Sequence, residues 1–167
     1  MRVVVDTNVA VVANGDSPQA SSECIQNCTV RLYELTRSGK LVLDDKWLIL
    51  KEYMANLRSS GQPGSGDAFL KWVLTNYSNP DRCELVSITP TDEDIPDFAE
   101  FPRLPTLRDF HSDDRKFVAV PIAHPDRPPI LEAVDAEWWE SRHALKKAGV
   151  CVDFLCPEDI AFISGRR

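Results

Sequence analysis

The chain has 167 residues, the length of one domain, and 43% of them are apolar, which is enough for a packed core. No apolar run is long enough to span a bilayer, and polar residues interrupt the short valine run near the N-terminus, so we expect a cytoplasmic protein without membrane contact. The formal net charge of −7 disfavours a protein that binds long nucleic acid through its surface charge. It is compatible with a cluster of acids that holds metal ions.

The predicted secondary structure alternates between short apolar strands and amphipathic helices. Val3 to Val5 form a β-branched run typical of a strand buried on both faces. Ser17 and Pro18 predict the cap and first turn of the helix that follows, and Gly39 predicts its end. The strands are predicted at residues 2–5, 40–45, 83–89, 129–134 and 150–155, and the helices at about 17–39, 46–60, 68–77, 113–123 and 136–149.

This alternation predicts an α/β fold, a three-layer α/β/α sandwich around a mainly parallel sheet of about five strands. We expect one domain over residues 1–160 and a short tail over 161–167. Residues 90–112 contain four prolines and many acids and are predicted to be a loop insertion. Its acidic part, residues 91–100, could cover a site as a lid or dock a basic partner.

The five cysteines lack the spacing of a metal-binding motif. Neither Cys24 with Cys28 nor Cys151 with Cys156 has the two-residue separation of zinc knuckles, and no histidine stands near them. We therefore expect all five, Cys83 included, to be free thiols in buried or half-buried positions.

Four acids fall at one predicted edge of the sheet. Asp6 ends the first strand, Asp135 ends the fourth, Glu52 borders the buried face of a helix, and Asp114 opens another helix. Each acid alone is explained by helix capping or by an ion pair. Together they would repel one another unless cations neutralise them, and oxygen-only ligands suit Mg²⁺ or Mn²⁺. Such a centre typically performs metal-assisted phosphodiester chemistry.

Four segments, read in order, resemble the signatures of the PIN (PilT N-terminus) domain family. They are "VVVDTNV", "WLILKEYMANL", "DDRKFVAVPIA" and "PILEAVDAEWW", and the similarity spans about residues 2–155. The resemblance implies a Mg²⁺- or Mn²⁺-dependent endonuclease that cleaves single-stranded RNA with a metal-activated water. It also implies that the protein could be the toxin of a toxin–antitoxin module, held by an antitoxin or another basic protein, and that it could form a homodimer.

The resemblance also assigns site residues. The metal-binding and catalytic acids would be Asp6, Glu52, Asp114 and Asp135. Asp113 and Glu137 would be accessory acids, and Thr7 and Asn8 would orient Asp6 through hydrogen bonds.

The chain departs from the family pattern at two positions. Ala133 stands where the family usually has Thr or Ser, which questions one hydroxyl on the substrate side. Pro121 should kink or end the helix that begins near Asp114, because proline lacks an N–H and restricts the residue before it.

Several interpretations remain open. An Asp in place of Asn8 would have indicated a phosphatase, so that class is disfavoured, whereas a catalytically inactive PIN-like module for protein interaction remains the main rival. Arg115 and Lys116 are candidate phosphate contacts, with ion pairing to neighbouring acids as the alternative. Trp138 and Trp139 are candidate substrate contacts, with a place in the core as the more frequent role of such residues.

Overall fold

The computed structural model describes residues 1–166 and has the predicted α/β fold, a three-layer α/β/α sandwich whose five strands are all parallel. The strands are β1 (Arg2–Val5), β2 (Lys40–Asp44), β3 (Cys83–Val86), β4 (Ile130–Glu132) and β5 (Val152–Phe154). The α-helices within these residues are α1 (Thr7–Ala13), α2 (Ser22–Ser38), α3 (Leu48–Asn56), α4 (Ser65–Asn76), α5 (Arg115–Ala123), α6 (Ala136–Lys147) and α7 (Pro157–Ser164). None of them is both long and apolar enough to cross a membrane.

The strand order is β3-β2-β1-β4-β5, with β1 at the centre. The chain builds outward from β1 to β3 on one side and then crosses over to β4 and β5 on the other. The order therefore reverses between β1 and β4, and in open α/β sheets a crevice forms at this point, beyond the carboxyl ends of the strands. Val5 pairs with Leu131 across these two strands, which places Asp6 and Glu132 at the edge of the crevice.

The core confirms the predicted apolar pattern. Val3, Val4 and Val5 have no exposed surface, as expected for a central strand covered on both faces. The buried face of α2 consists of the residues at helical spacing, Cys24, Cys28, Leu32 and Leu35. Burying one such side chain stabilises the fold by about 1.5–3 kcal/mol, so the sheet provides a rigid base for the crevice.

The structure corrects the expected start of the first long helix. Residues directly after β1 form α1, which was not predicted because its sequence, "TNVAVVA", is rich in β-branched residues that favour strands. Its helical form is stabilised by a cap at Asp6 and by burial of most of its side chains. The next helix, α2, then begins at Ser22 with Ser21 as its cap, rather than at Ser17 and Pro18.

The expected tail over residues 161–167 is helical through Ser164, because α7 covers Pro157–Ser164. Pro157 occupies the first turn, where proline is tolerated, and Ile160 is fully buried. The carboxylate of Asp159 accepts a hydrogen bond from the backbone N–H of Ser21 at 2.6 Å. These contacts join α7 to the start of α2, while Arg167 lies outside the described residues.

Pro121 does not end α5, which continues through Ala123. Of the two effects expected of this proline, a kink or an end of the helix, termination at Pro121 is therefore not observed. The helix ends directly afterwards, with His124 as its cap, so the N–H that Pro121 lacks removes a hydrogen bond only in the last turn.

The insertion at residues 90–112 packs against the domain through apolar anchors. Its buried side chains are Phe98, Phe101, Leu107 and Phe110. The ring of Phe110 lies 5.1 Å from that of Trp138, edge to face. Asp97 forms ion pairs with Arg103 at 2.8 Å and with Arg115 at 3.0 Å. These contacts argue against a lid that swings open and leave Asp97 engaged within the chain.

Two of the cysteines form a disulfide, which corrects the expectation of five free thiols. Cys24 of α2 is bonded to Cys156, which directly precedes α7. The partners are 132 residues apart in sequence, and α7 itself was not predicted, so no local pattern revealed the pair. Cys28 and Cys83 are buried thiols, and burial raises their pKa to about 12 and about 11, which makes them unreactive.

Reducing the disulfide, or replacing Cys156→Ser, should lower the free energy of unfolding by about 2–4 kcal/mol, because the cross-link restricts the unfolded chain. Urea denaturation with and without a reductant measures this change. Cys151→Ser, which removes an exposed thiol, is the matched control and should leave the midpoint unchanged. Equal stability of the oxidised and reduced wild type would contradict the expectation.

Candidate functional site

An open cleft of about 670 Å³ lies where the predicted acids converge, and we call it the acidic cleft. It is lined by Glu52, Asn56, His111, Asp113, Asp114, Lys116, Asp135 and Glu137. Three of the four predicted metal ligands line it, and the fourth, Asp6, is buried beside them with 4% of its surface exposed. The structure therefore brings all four acids into one region: Glu52 lies on α3, and the other three lie directly after β1, before α5 and before α6.

Asp6 occupies the turn between β1 and α1. One carboxylate oxygen, Oδ1, accepts a hydrogen bond from the backbone N–H of Asn8 at 2.9 Å and caps the helix. Burial raises the pKa of Asp6 well above its usual range, and the charges of Asp114, Glu52 and Asp135 raise it further. A cation near this carboxylate would relieve both costs.

Asp114 is the cleft acid that helix capping does not explain. It precedes α5, yet its side chain makes no capping hydrogen bond. Burial, followed by the charges of Asp135 and Glu52, raises its pKa to about 6. The nearby ammonium of Lys116 lowers the pKa by less than these effects raise it.

Asp135 was predicted to end the fourth strand, but β4 ends three residues earlier at Glu132. Asp135 instead caps α6, and its Oδ1 accepts a hydrogen bond from the backbone N–H of Glu137 at 2.8 Å. It also lines the acidic cleft, so one carboxylate serves both the helix and the cleft.

Both carboxylate oxygens of Glu52 have partners. The hydroxyl of Thr7 donates to Oε1 at 2.7 Å, and the ammonium of Lys116 forms an ion pair with Oε2. Lys116 also donates to the backbone carbonyl of Asp113. The alternative that Lys116 pairs with an acid is thus confirmed, while the expectation that Thr7 orients Asp6 is wrong because its hydroxyl contacts Glu52.

The two predicted accessory acids also line the acidic cleft. The side chain of Asp113 is 67% exposed, with one oxygen 3.8 Å from Nδ1 of His111. Glu137 accepts a hydrogen bond from the backbone N–H of His111 at 3.0 Å through Oε1. Asn56, which sequence reasoning did not single out, stands on the last turn of α3 and completes the wall.

Two predicted substrate contacts lie elsewhere. The guanidinium of Arg115 faces the insertion, where it pairs with Asp97 and donates to the backbone carbonyls of Phe110 and Arg108. Trp138 is fully buried on the inner face of α6. Neither side chain lines the acidic cleft, and for both the stated alternative holds: Arg115 forms an ion pair and Trp138 lies in the core, because helical geometry turns these positions toward the insertion and the core.

Glu132 is a site residue that sequence reasoning missed. It ends β4 with no exposed surface, and its Oε1 accepts hydrogen bonds from the side chain of Asn8 and from the backbone of Ala133 and Asp135. The run "PILEAV" looked like a plain buried strand. Aligning the two parallel strands at their carboxyl ends would have placed this acid beside Asp6.

The role expected for Asn8 therefore changes. Its backbone N–H holds Asp6, but its side chain binds Glu132 and accepts a hydrogen bond from the backbone N–H of Ala133 at 3.0 Å.

The donor set of the acidic cleft fits a hard divalent cation. The acids there offer oxygen ligands alone, and a cation would offset the burial and the mutual repulsion that raise the pKa of Asp6 and Asp114. Residues 1–166, however, contain a single group of three Asp, Glu, His or Cys residues whose ligand atoms all lie within 4.8 Å of one another. This group is the sulfurs of Cys24, Cys28 and Cys156, so no three of the cleft carboxylates are this close together. Binding three of the cleft carboxylates to one ion therefore requires side chains to rotate inward.

Comparison with known proteins adds no assignment. No protein-family model, no curated protein and no solved structure matches the chain. The function is therefore argued from the geometry and chemistry of the site.

The metal-free protein should lose stability as the pH rises from about 4 to 6. The raised pKa of Asp114, about 6, means that the folded state keeps a proton that the unfolded chain releases near pH 4. Removing that proton lowers the free energy of unfolding until the pH passes the pKa of Asp114 in the folded state. Thermal denaturation in a chelator should show a melting temperature that falls less steeply with pH in Asp114→Asn than in wild type.

Asp113→Asn changes an exposed neighbouring acid and serves as the matched control, with a wild-type pH profile. Identical profiles for Asp114→Asn and wild type would contradict the assigned proton.

Proposed function

We propose that the protein is a divalent-metal-dependent endoribonuclease of the PIN-like type that cleaves single-stranded RNA. The observation that carries the proposal is the convergence of Asp6, Glu52, Asp114 and Asp135 at the crevice between β1 and β4, with the pKa of Asp6 and Asp114 raised by burial and by the other acids. Burying several charges together destabilises a fold, so such clusters occur chiefly where a cation or a reaction uses the charge.

Asp6, Asp114 and Asp135 are the residues that would hold Mg²⁺ or Mn²⁺. Such an ion would activate water and stabilise the charge that develops on the phosphodiester. Asp114, whose side chain makes no capping bond, must lose its proton first, so cation binding should weaken below about pH 6. Asp6 and Asp135 are already oriented by the backbone N–H groups that they cap.

Lys116 supplies positive charge inside the acidic cleft. Its ammonium neutralises Glu52, and the same group can approach a phosphate oxygen when a nucleic acid chain enters. Asn56 and His111 add polar groups that can hydrogen-bond to the sugar and phosphate. No Phe, Tyr or Trp side chain is among the described residues that line this cleft, so we expect the strand to be held chiefly by its backbone rather than by base stacking.

A regulatory partner fits the charge of the chain. The net charge of −7 favours association with a basic protein, such as the antitoxin of a toxin–antitoxin module, and homodimer formation is a further part of the proposal.

A catalytically inactive PIN-like interaction module is the second candidate. The ion pair between Lys116 and Glu52 favours it, because both oxygens of that acid already have protein partners. The two candidates differ in metal binding, which calorimetry with Mn²⁺ measures directly. Absence of binding by the wild type would favour the inactive module.

Cleavage of labelled single-stranded RNA and DNA with Mn²⁺ tests the enzyme proposal. Asp6→Asn and Asp114→Asn should each lower the rate on RNA by about 100-fold or more, because each removes a charged ligand from the cation. Asp45→Asn, which changes an exposed acid directly after β2, should cleave at the wild-type rate. Cleavage that survives both cleft substitutions would contradict the mechanism.

A further inference from the structure

Glu132 and Asp6 stand at the ends of adjacent parallel strands. The backbone N–H of Asp6 donates to the carbonyl of Leu131 at 3.0 Å, which continues the pairing of β1 with β4 one residue beyond Val5. Both acidic side chains are buried, with 0% of Glu132 and 4% of Asp6 exposed. Glu132 does not line the acidic cleft, so its carboxylate lies behind the acids that do.

One oxygen of Glu132 gathers three donors. Oε1 accepts hydrogen bonds from the side-chain amide of Asn8, from the backbone N–H of Ala133 at 2.9 Å, and from the backbone N–H of Asp135 at 3.1 Å. The carbonyl oxygen of the Asn8 side chain accepts from the same Ala133 N–H at 3.0 Å, which closes the network. Asn8 belongs to the first turn of α1, and Ala133 and Asp135 belong to the turn before α6.

These two turns carry Asp6 and Asp135, and the network is a direct side-chain link between them. Without an acceptor at Glu132, the side-chain amide of Asn8 and the backbone N–H of Asp135 would lose a buried partner. Each turn would then be free to shift relative to the other. An error of about 1 Å in the placement of a ligand or reacting group is enough to impair a catalytic site.

The second oxygen of Glu132 shows that this link is retained at a cost. Oε2 is buried and has no hydrogen-bond partner among residues 1–166. An unpaired buried polar atom destabilises the fold, and such atoms in native proteins call for a specific explanation. Positioning of the cleft acids by Oε1 supplies one.

We propose that Glu132 is a positioning residue that fixes Asp6 and Asp135 relative to each other through Asn8 and the turn before α6. The contribution to catalysis rests on the proposed function, whereas the positioning itself rests on the hydrogen bonds alone. Glu132 acts through other residues and need not touch the cation.

Two substitutions separate positioning from the other roles. Glu132→Gln keeps an acceptor oxygen at the same reach and removes the charge, so Mn²⁺ affinity measured by calorimetry should stay within about threefold of wild type. Glu132→Leu keeps the volume and removes the acceptor, so the affinity should fall by about 10- to 100-fold, as for other residues that orient metal ligands.

Amide hydrogen exchange supplies a readout that does not depend on a metal. In Glu132→Leu the backbone amides of Ala133 and Asp135 should exchange faster than in wild type, while Glu132→Gln should keep their protection. Asn8→Ala removes the side-chain oxygen that accepts from the Ala133 N–H, together with one donor to Glu132, so it should speed exchange at Ala133 with a smaller loss of Mn²⁺ affinity. This variant tests the network even if Glu132→Leu does not fold.

Glu84→Leu is the matched control for a loss of stability alone. Glu84 on β3 is a partly buried acid held by Arg2, Lys40 and His124, and it lies outside the acidic cleft. Its replacement should lower the melting temperature and leave Mn²⁺ affinity unchanged. A fall in affinity that merely follows the loss of stability in both Leu variants would overturn the proposal.

The remaining outcomes are also decisive. Wild-type affinity and exchange in Glu132→Leu would overturn the proposal, and so would a loss in Glu132→Gln as large as in Glu132→Leu, which would indicate a direct ligand. If the wild type binds no Mn²⁺, the proposed function fails. The exchange rates then decide the positioning role alone: faster exchange in the Leu variant only supports it, and equal rates in all variants overturn it.

Discussion

The mutual repulsion of carboxylates at the carboxyl edge of the sheet is the constraint on which this site depends. The reversal of strand order between β1 and β4 opens a crevice there, and the chain places acids around it directly after β1, on α3, and directly before α5 and α6. Burial removes the water that would otherwise stabilise their charge. The pKa values of Asp6 and Asp114 rise as a result, and the energy of the site falls when a proton, an ammonium group or a metal ion is added.

The surrounding structure responds to this charge in several ways. Asp6 and Asp135 each accept a backbone N–H at the start of a helix, where the helix dipole favours negative charge. Lys116 neutralises Glu52 from within the acidic cleft. Asp114 receives no capping bond, which leaves it as the acid most dependent on an added cation or proton. The disulfide from Cys24 to Cys156 does not line the acidic cleft and stabilises the domain. The packed insertion stabilises the domain through the contact of Phe110 with Trp138 and also contributes His111 to the cleft wall.

Much of the fold could be predicted because its signals are local. The valines of β1, the helical spacing of Cys24 to Leu35 on α2, and the alternation of strands and helices follow from periodicity and burial. Helix α1 could not, because its β-branched sequence favours a strand and only the cap at Asp6 and burial decide otherwise. The disulfide could not, because its two cysteines lie 132 residues apart and no local pattern links them. Glu132 required the alignment of β1 with β4, because its side-chain partner Asn8 lies 124 residues away. Arg115 shows the same limit, since a helix position alone does not tell which neighbour its side chain meets.

A crystal structure of the protein soaked in Mn²⁺ would show whether the acidic cleft binds a metal ion, because anomalous scattering locates the ion without assumptions about activity. We expect one or more Mn²⁺ peaks in the acidic cleft, coordinated by oxygens of Asp6, Asp114 or Asp135, with the side chains rotated toward the ion. A cleft with no anomalous peak at saturating Mn²⁺ and a pH above about 7, where Asp114 is ionised, would contradict this expectation.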